Sequence, residues 1–455
     1  MGKAKMKHLA YPAYKPSGVA WLGEIPEHWD PVRLRYRAKI NPIRSEINGL
    51  PGTLDVSFVP MESVHEYGGL SLDQSRPLAE VSTGYTYFLD GDVLAAKITP
   101  CFENGKGAIA HDLMNGIGFG TTELHVLRPH PSMDRHFLFY VTISHAFRHL
   151  GAAEMYGAGG QKRVPEIFIR DFRQSIPPLK EQRTVASFLD RETARIDTLI
   201  EKKQRQIELL QEKRSALISH AVIKGLNPNV EMRDSEVAWI GEVPHHWQVK
   251  RLKYLIREGL SNGLFKKKEF FGSGTKLVNV FDVYREDFIV DHDSLDRVEA
   301  DEVEQRKYAV QSGDIFFVRS SLKLEGVGRS VCALNVKEPT VFECHIVRAR
   351  PDSRMINPSF LVHFLNSIPA INRLISLSNL VTMATIDQDK FKSLEVPLPP
   401  REEQDKIMAV LDREGEKTKL LERRIIDSIK TLSEYRRALI SAAVTGKMDV
   451  RKEVS

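Results

Sequence analysis

Between Pro178 and Gly225, apolar side chains return every three and four positions along an otherwise charged stretch, and the pattern recurs between Pro400 and Gly446. With Leu189 at a heptad d position, Ile196, Lys203, Leu210 and Leu217 also fall at d. Thr193, Ile200, Ile207, Arg214 and Ala221 then fall at a, and seven of these ten residues are apolar. The second stretch gives six of ten: Leu411, Ile425, Ile429, Leu432, Leu439 and Ala443. Such spacing, sustained over four heptads, predicts two long helices with an apolar seam. Prolines before each stretch and a glycine after each supply start and stop signals. One internal glycine, Gly415, is expected to loosen the second helix locally. A helix of about 44 residues rises ~66 Å. Equal length and shared pattern predict that the helices pair antiparallel with each other, as a stalk with a globular part at each end.

The helices are one of two duplicated elements. All four tryptophans lie in the other, which runs Ser17–Tyr36 and returns 218 residues later as Ser235–Tyr254, with twelve of twenty positions identical. Trp21, Pro26 and Trp29 match Trp239, Pro244 and Trp247. Each helical stretch opens on a Glu-Gln pair, Glu181-Gln182 and Glu403-Gln404, an offset of 222. Internal repetition fixes the architecture before any local reading. Between the duplicated elements the halves diverge. Short alternating runs such as 55–59 and 276–280 predict strands among short helices. Gly91-Asp92-Val93-Leu94 is echoed by Gly313-Asp314-Ile315-Phe316, and Phe137-Leu138 by Phe360-Leu361. The expected fold is α+β, duplicated with pseudo-two-fold symmetry. Its boundaries are a mixed domain over 1–178, a helix over 179–226, a second mixed domain over 227–399 and a helix over 400–450.

At 455 residues each half can bury its own core. A net charge of +5, from 65 Lys+Arg and 60 Asp+Glu, permits nucleic-acid binding without requiring it. Cys101, Cys332 and Cys344 have neither paired nor metal-ligand spacing, which fits a reducing compartment. No run approaches the roughly 20 apolar residues of a membrane span, so no membrane role is expected. The basic start, Lys3, Lys5 and Lys7, lacks a following apolar segment and reads as a tail. A cytoplasmic location is expected.

The search for catalytic motifs is negative: no phosphate-binding P-loop, zinc-protease helix, CxxC pair or nucleophile elbow is present. Gly116-Ile-Gly118-Phe-Gly120 reads as a tight turn into a strand, and Asn357-Pro-Ser-Phe360 as a capped helix start. His125 and His345 occupy matched positions without a clustered ligand set and read as core or near-core strand residues. The tryptophans read as packing anchors. Basic loops are the positive signal. Lys97, Thr99, Asn104 and Lys106 follow the Gly-Asp echo in the first half; Arg319, Ser320, Ser321, Lys323 and Arg329 follow it in the second. Gln161, Lys162 and Arg163, after Gly159, form a further loop, and Lys266, Lys267 and Lys268 another. Lys and Arg neutralise phosphates, while Arg, Lys, Gln, Asn and Ser read base edges.

The whole chain resembles the DNA-specificity subunit of type I restriction–modification systems. The resemblance rests on Ala20–Trp29 and its repeat, on the Pro-Pro and Glu-Gln segments at 176–182 and 396–404, and on Leu-Ile-Ser with Ala-Val at 217–222 and 439–444. It implies two target-recognition domains, each reading one half of a split site on double-stranded DNA. It also implies a helical stalk that sets half-site spacing and docks two modification subunits. Those subunits would carry S-adenosylmethionine, and further restriction subunits ATP and Mg, so that this chain needs no cofactor and catalyses nothing. The rival reading is a coiled-coil scaffold that binds only protein. It explains the helices but not the divergent basic loops.

Overall fold

The computed structural model describes residues 10–158, 160–380 and 383–452. Lys3, Lys5, Lys7 and Gly159 lie outside them. The chain divides into two compact units, Met1–Lys203 with Asp427–Ser455, and Gln204–Ile426. The two long helices form as the heptads predict, over Leu179–Lys224 and Arg401–Val444. The second runs unbroken through Gly415. Both helices pass through the division, so each unit holds the first part of one and the last part of the other.

Within each unit these parts pack antiparallel. In the first unit, Val185, Leu189 and Ile196 share a core with Leu439, Ile440 and Val444, and Ile200 and Leu432 pack at its edge. Arg436 closes this seam with an ion pair to Asp197. In the second unit, Ile218, Ala221 and Val222 share a core with Ile407, Met408 and Leu411, with Leu217 against it. Ile207, Leu210, Ile425 and Ile429 are half-buried.

The tryptophan motif is a clasp on this seam. Trp29 and Trp247 are 0% and 1% exposed, so each indole N–H must find an acceptor within the protein. Trp29 donates to Glu181 (3.2 Å) and Trp247 to Glu403 (3.1 Å), in the first turn of a long helix. His28 and His246 reach the same carboxylates at 2.7 and 2.8 Å. The adjacent glutamines make a matching set of bonds. Gln182 accepts from the Asp134 N–H (2.8 Å) and donates to the Ser132 and Pro177 carbonyls. Gln404 accepts from the Asn357 N–H (2.7 Å) and donates to the Met355 and Pro399 carbonyls. The end of the other helix completes the clasp. Gly446 lies against Pro26 and Trp29, and Gly225 against Trp247 and Pro244, both with positive φ.

The intervening domains share a common core topology, although their sequences share only scattered echoes and the outer strands differ. In the first unit, Ala38–Ile40, Leu124–Pro129, Val93–Ala96 and Gly107–Ile109 form an antiparallel sheet in that order. In the second, Ser261–Asn262, Ile346–Ala349, Ile315–Val318 and Ser330–Cys332 form its counterpart. A further sheet in each is built on a parallel pair, Asp55–Val59 with Ile117–Gly120 and Phe271–Val278 with Thr340–Phe342. The glycines of the 116–120 run permit close approach, since a Cβ on Gly118 would fall 2.1 Å from the Phe88 ring. Asn357 caps the helix Pro358–Leu365 by accepting from the Ser359 N–H.

Two glycine-to-alanine changes, one within the second long helix and one just past its end, therefore have opposite expected signs. A methyl group on Gly415 would meet nothing within 4 Å, so Gly415→Ala raises stability by about 1 kcal/mol. Gly446 has φ +73° and a Cβ there would lie 2.4 Å from Pro26, so Gly446→Ala lowers stability by more than about 1 kcal/mol. Urea unfolding midpoints of the two variants check both signs.

Candidate nucleic-acid interface

The basic loops 97–106 and 319–329 leave equivalent strands, Val93–Ala96 and Ile315–Val318, and return on equivalent neighbours. A buried ion pair fixes the start of each strand. Asp92, 1% exposed, receives Arg128 Nε (2.7 Å) and Nη2 (2.8 Å) and the Leu89 N–H (2.8 Å). Asp314, also 1% exposed, receives Arg350 Nε (2.7 Å) and Nη2 (3.0 Å) and the Gln311 N–H (2.8 Å). A two-pronged guanidinium–carboxylate contact is directional as well as strong. It explains why the Gly-Asp echo survives where the surrounding sequence does not.

In the first unit the structure brings the two predicted loops together. The Thr99 hydroxyl donates to the Gly160 carbonyl (2.8 Å) and accepts from the Lys162 N–H (3.0 Å), and the Thr99 N–H donates to the Lys162 carbonyl (2.9 Å). Ile98 pairs with Arg163 in a β-bridge. The Asn104, Gln161 and Lys162 side chains are exposed, while Lys97 and Lys106 are half-buried. Lys106 donates to the Met61 carbonyl (3.3 Å). Arg163 is less available than its sequence suggests, because it forks onto Glu123 (2.8–3.1 Å) and holds that carboxyl below its ordinary range. Buried His125 ties this loop to the sheet: Nε2 meets the Val164 carbonyl at 2.9 Å and Nδ1 meets the Asn41 amide at 3.3 Å. Burial lowers the pKa of this imidazole.

In the second unit Arg319 and Lys323 are exposed, Ser320 and Arg329 half-buried, and Ser321 buried. The Arg319 guanidinium reaches Asn262 Oδ1 (3.4 Å), which also accepts from Gln388 (3.0 Å). Neither Asn262 nor Gln388 stands out in the sequence; the polar Ser261-Asn262-Gly263 run is the available signal. The expectation of two strand histidines fails for His345. It sits exposed in a turn just before Ile346–Ala349, where Glu343, Cys344 and His345 bring ligand-type atoms within 4.8 Å of one another. The carboxylate there is already engaged: Glu343 accepts from the Val280 N–H (3.2 Å) and the His345 N–H (3.1 Å). His345 Nδ1 lies 3.3 Å from the Ser320 hydroxyl. This turn therefore braces both the 319–323 loop and the turn Val280–Val283. The braced loops line a cleft of about 830 Å³ that includes Phe281, Tyr284, Leu322, Lys323, Arg329 and Arg214. Lys266, Lys267 and Lys268 do not line it. Lys266 pairs with Glu304 (2.8 Å) and lies over the Phe270 ring.

A family model described as the type I restriction modification DNA specificity domain matches residues 86–209 and 244–431. The EcoAI specificity subunit of a type I restriction enzyme from Escherichia coli is 40% identical over 164 residues, 36% of this chain and 27% of that protein. The EcoEI specificity subunit is 40% identical over 168 residues, covering 28% of its length, so the chain spans only about a quarter of these two relatives. The EcoKI specificity subunit of E. coli K12 is 25% identical over 328 residues, 71% of this chain and 68% of that protein. A solved chain, from work on complex assembly and conformational transition of the type I R-M system, has a TM-score of 0.71. It is 17% identical over 92% of this chain and 98% of that one. The HsdS subunit from Thermoanaerobacter tengcongensis has a TM-score of 0.53 at 16% identity, over 93% of this chain and 98% of its own. These structural likenesses carry the fold.

The His125 contacts predict a pH effect on the first loop pair. Because the folded pKa is lowered, the contact's stabilisation is full above the ring's ordinary value of 6.5 and declines as pH falls through it. Hydrogen exchange at the 163–164 amides, corrected for intrinsic rates, is expected to accelerate as the pH is lowered below 6.5. A His125→Gln chain is expected to lack that pH dependence.

Proposed function

The chain belongs to the type I restriction–modification DNA specificity family, and from that premise we propose that it is the DNA-reading subunit of such a complex. Each unit reads one half of a bipartite, asymmetric site on double-stranded DNA. The two long helices, 46 and 44 residues, set the half-site spacing and dock two modification subunits, to which restriction subunits are added. The chain itself catalyses no step. S-adenosylmethionine is held by the modification subunits, ATP and Mg by the restriction subunits, and the complex works in the cytoplasm. No single helix among the described residues is long and apolar enough to cross a membrane.

The observation that carries this reading is the matched placement of two unlike basic loops on two like sheets. A scaffold that bound only protein would have no reason to repeat the sheet and vary the loop. Side chains of the Lys97–Lys106 and Arg319–Arg329 segments supply phosphate contacts and base-edge donors, and their differences make the two half-sites differ.

Charge reversal at Lys97, Lys106, Arg319 and Lys323 tests the assignment. The expected result is loss of DNA binding with intact assembly on the modification subunits, read by gel shift and by size-exclusion chromatography. Single neutralisations should flatten the salt dependence by about 0.9 in log–log slope per phosphate contact removed. Undiminished DNA binding by the fourfold variant would overturn the loop assignment.

A further inference from the structure

We propose that Leu322 and Phe281 form an apolar wedge that enters the base stack of the second unit's half-site and opens one base step. This inference rests on the DNA-reading assignment above and adds a distinct way for one unit to read its DNA. Among the described residues, Leu322 and Phe281 are the most exposed large apolar side chains, at 83% and 82%. They lie on different segments yet line one cleft.

Neither is on a loose loop. Leu322 follows Ser321, which is 9% exposed and whose hydroxyl accepts from the Lys323 N–H (3.2 Å) and lies 3.5 Å from the Tyr284 hydroxyl. Gly326 lets the segments close, since a Cβ there would lie 2.2 Å from Ser321 Oγ and 2.7 Å from Tyr284 Oη. Phe281 sits in the turn Val280–Val283, capped by mutual Asn279–Asp282 bonds and anchored by Glu343. A rigid backbone thus presents two largely exposed apolar side chains beside Arg319, Lys323 and Arg329. Cations beside an apolar tip suit a duplex, whose phosphates meet the cations while the tip meets base faces. Apolar wedges at DNA act by partial unstacking of a step.

The first unit makes the contrast. Its equivalent loop turns its aromatic residue inward. Phe102 is 3% exposed, 5.9 Å from the Phe147 ring centre and under Gly151, where a Cβ would lie 2.4 Å away. In the turn Met61–Ser63, which matches Val280–Val283, Met61 packs against the core as Val280 does, and the charged Glu62 stands where the second unit has Phe281. The distortion is therefore one-sided.

The test uses the full chain with its modification subunits, on duplexes carrying the sequence it directs to methylation. 2-Aminopurine is placed at successive positions of each half-site other than the methylated adenine, and crosslinking from Lys323 identifies the second unit's half-site. Wild type is expected to raise fluorescence at one step there and at no such step in the other half-site. Phe281→Ser with Leu322→Ser should abolish that signal and weaken binding about tenfold, with the salt slope and thermal melt unchanged because both side chains are exposed. Lys323→Ala should instead flatten the salt slope and keep the signal. Wild-type affinity and signal in the double serine variant would overturn the wedge while leaving DNA reading intact. Failure of the wild-type complex to prefer any sequence would overturn the DNA-reading assignment and the wedge with it.

Discussion

A buried indole must place its N–H on an acceptor, and in this chain the acceptor is the first-turn carboxylate of a long helix. Trp29 to Glu181 and Trp247 to Glu403 are the bonds on which the rest of each unit depends. The carboxylate gains from the helix N-terminus, where exposed N–H groups favour negative charge. The far face of each clasp is the end of the other helix, brought against the tryptophan by a glycine in a conformation that other residues resist. One side chain thereby fixes the start of one helix against the end of the other. The neighbouring glutamine ties both to the mixed α+β domain of its unit through backbone bonds.

On that frame, what is repeated and what differs fall in separate places. The Asp92–Arg128 and Asp314–Arg350 pairs hold the same strand in the same sheet. Beyond each pair the loops differ in how they use their apolar residues: Phe102 of the first packs into the core, whereas Leu322 of the second faces solvent. The first loop is sewn to a second basic segment through Thr99 and Lys162, whereas the second is braced by a Glu-Cys-His turn and shows its apolar residues to solvent. Two loops of unlike chemistry on one scaffold fit the proposed reading of a site with two unlike halves.

The helices and clasps are legible in the sequence because their signals are local or repeated: heptads, Glu-Gln pairs, tryptophans with flanking prolines and terminal glycines. The common sheet topology is not. Its strands are two to eight residues long, and their pairing is set by contacts far apart in the chain, such as Ser57 with Gly118. Position alone also misleads. His125 and His345 align by sequence, but one lies within a strand and bonds the Val164 carbonyl, while the other precedes its strand in an exposed turn. The lysine run at 266–268 looks like a surface patch, yet Lys266 is drawn to Glu304, a partner 38 residues away that no local pattern announces. Phe281 is invisible to pattern reading because exposure, which makes it informative, leaves no trace in periodicity.

The central claim is that two unlike readers on a repeated frame specify two unlike half-sites. Single-molecule sequencing of adenine methylation, in cells expressing this chain with its modification subunits, tests it most directly. The account predicts one new motif of two different short blocks separated by a fixed unspecified gap. A palindromic or single-block motif, or no new methylation from an assembled complex, would contradict it.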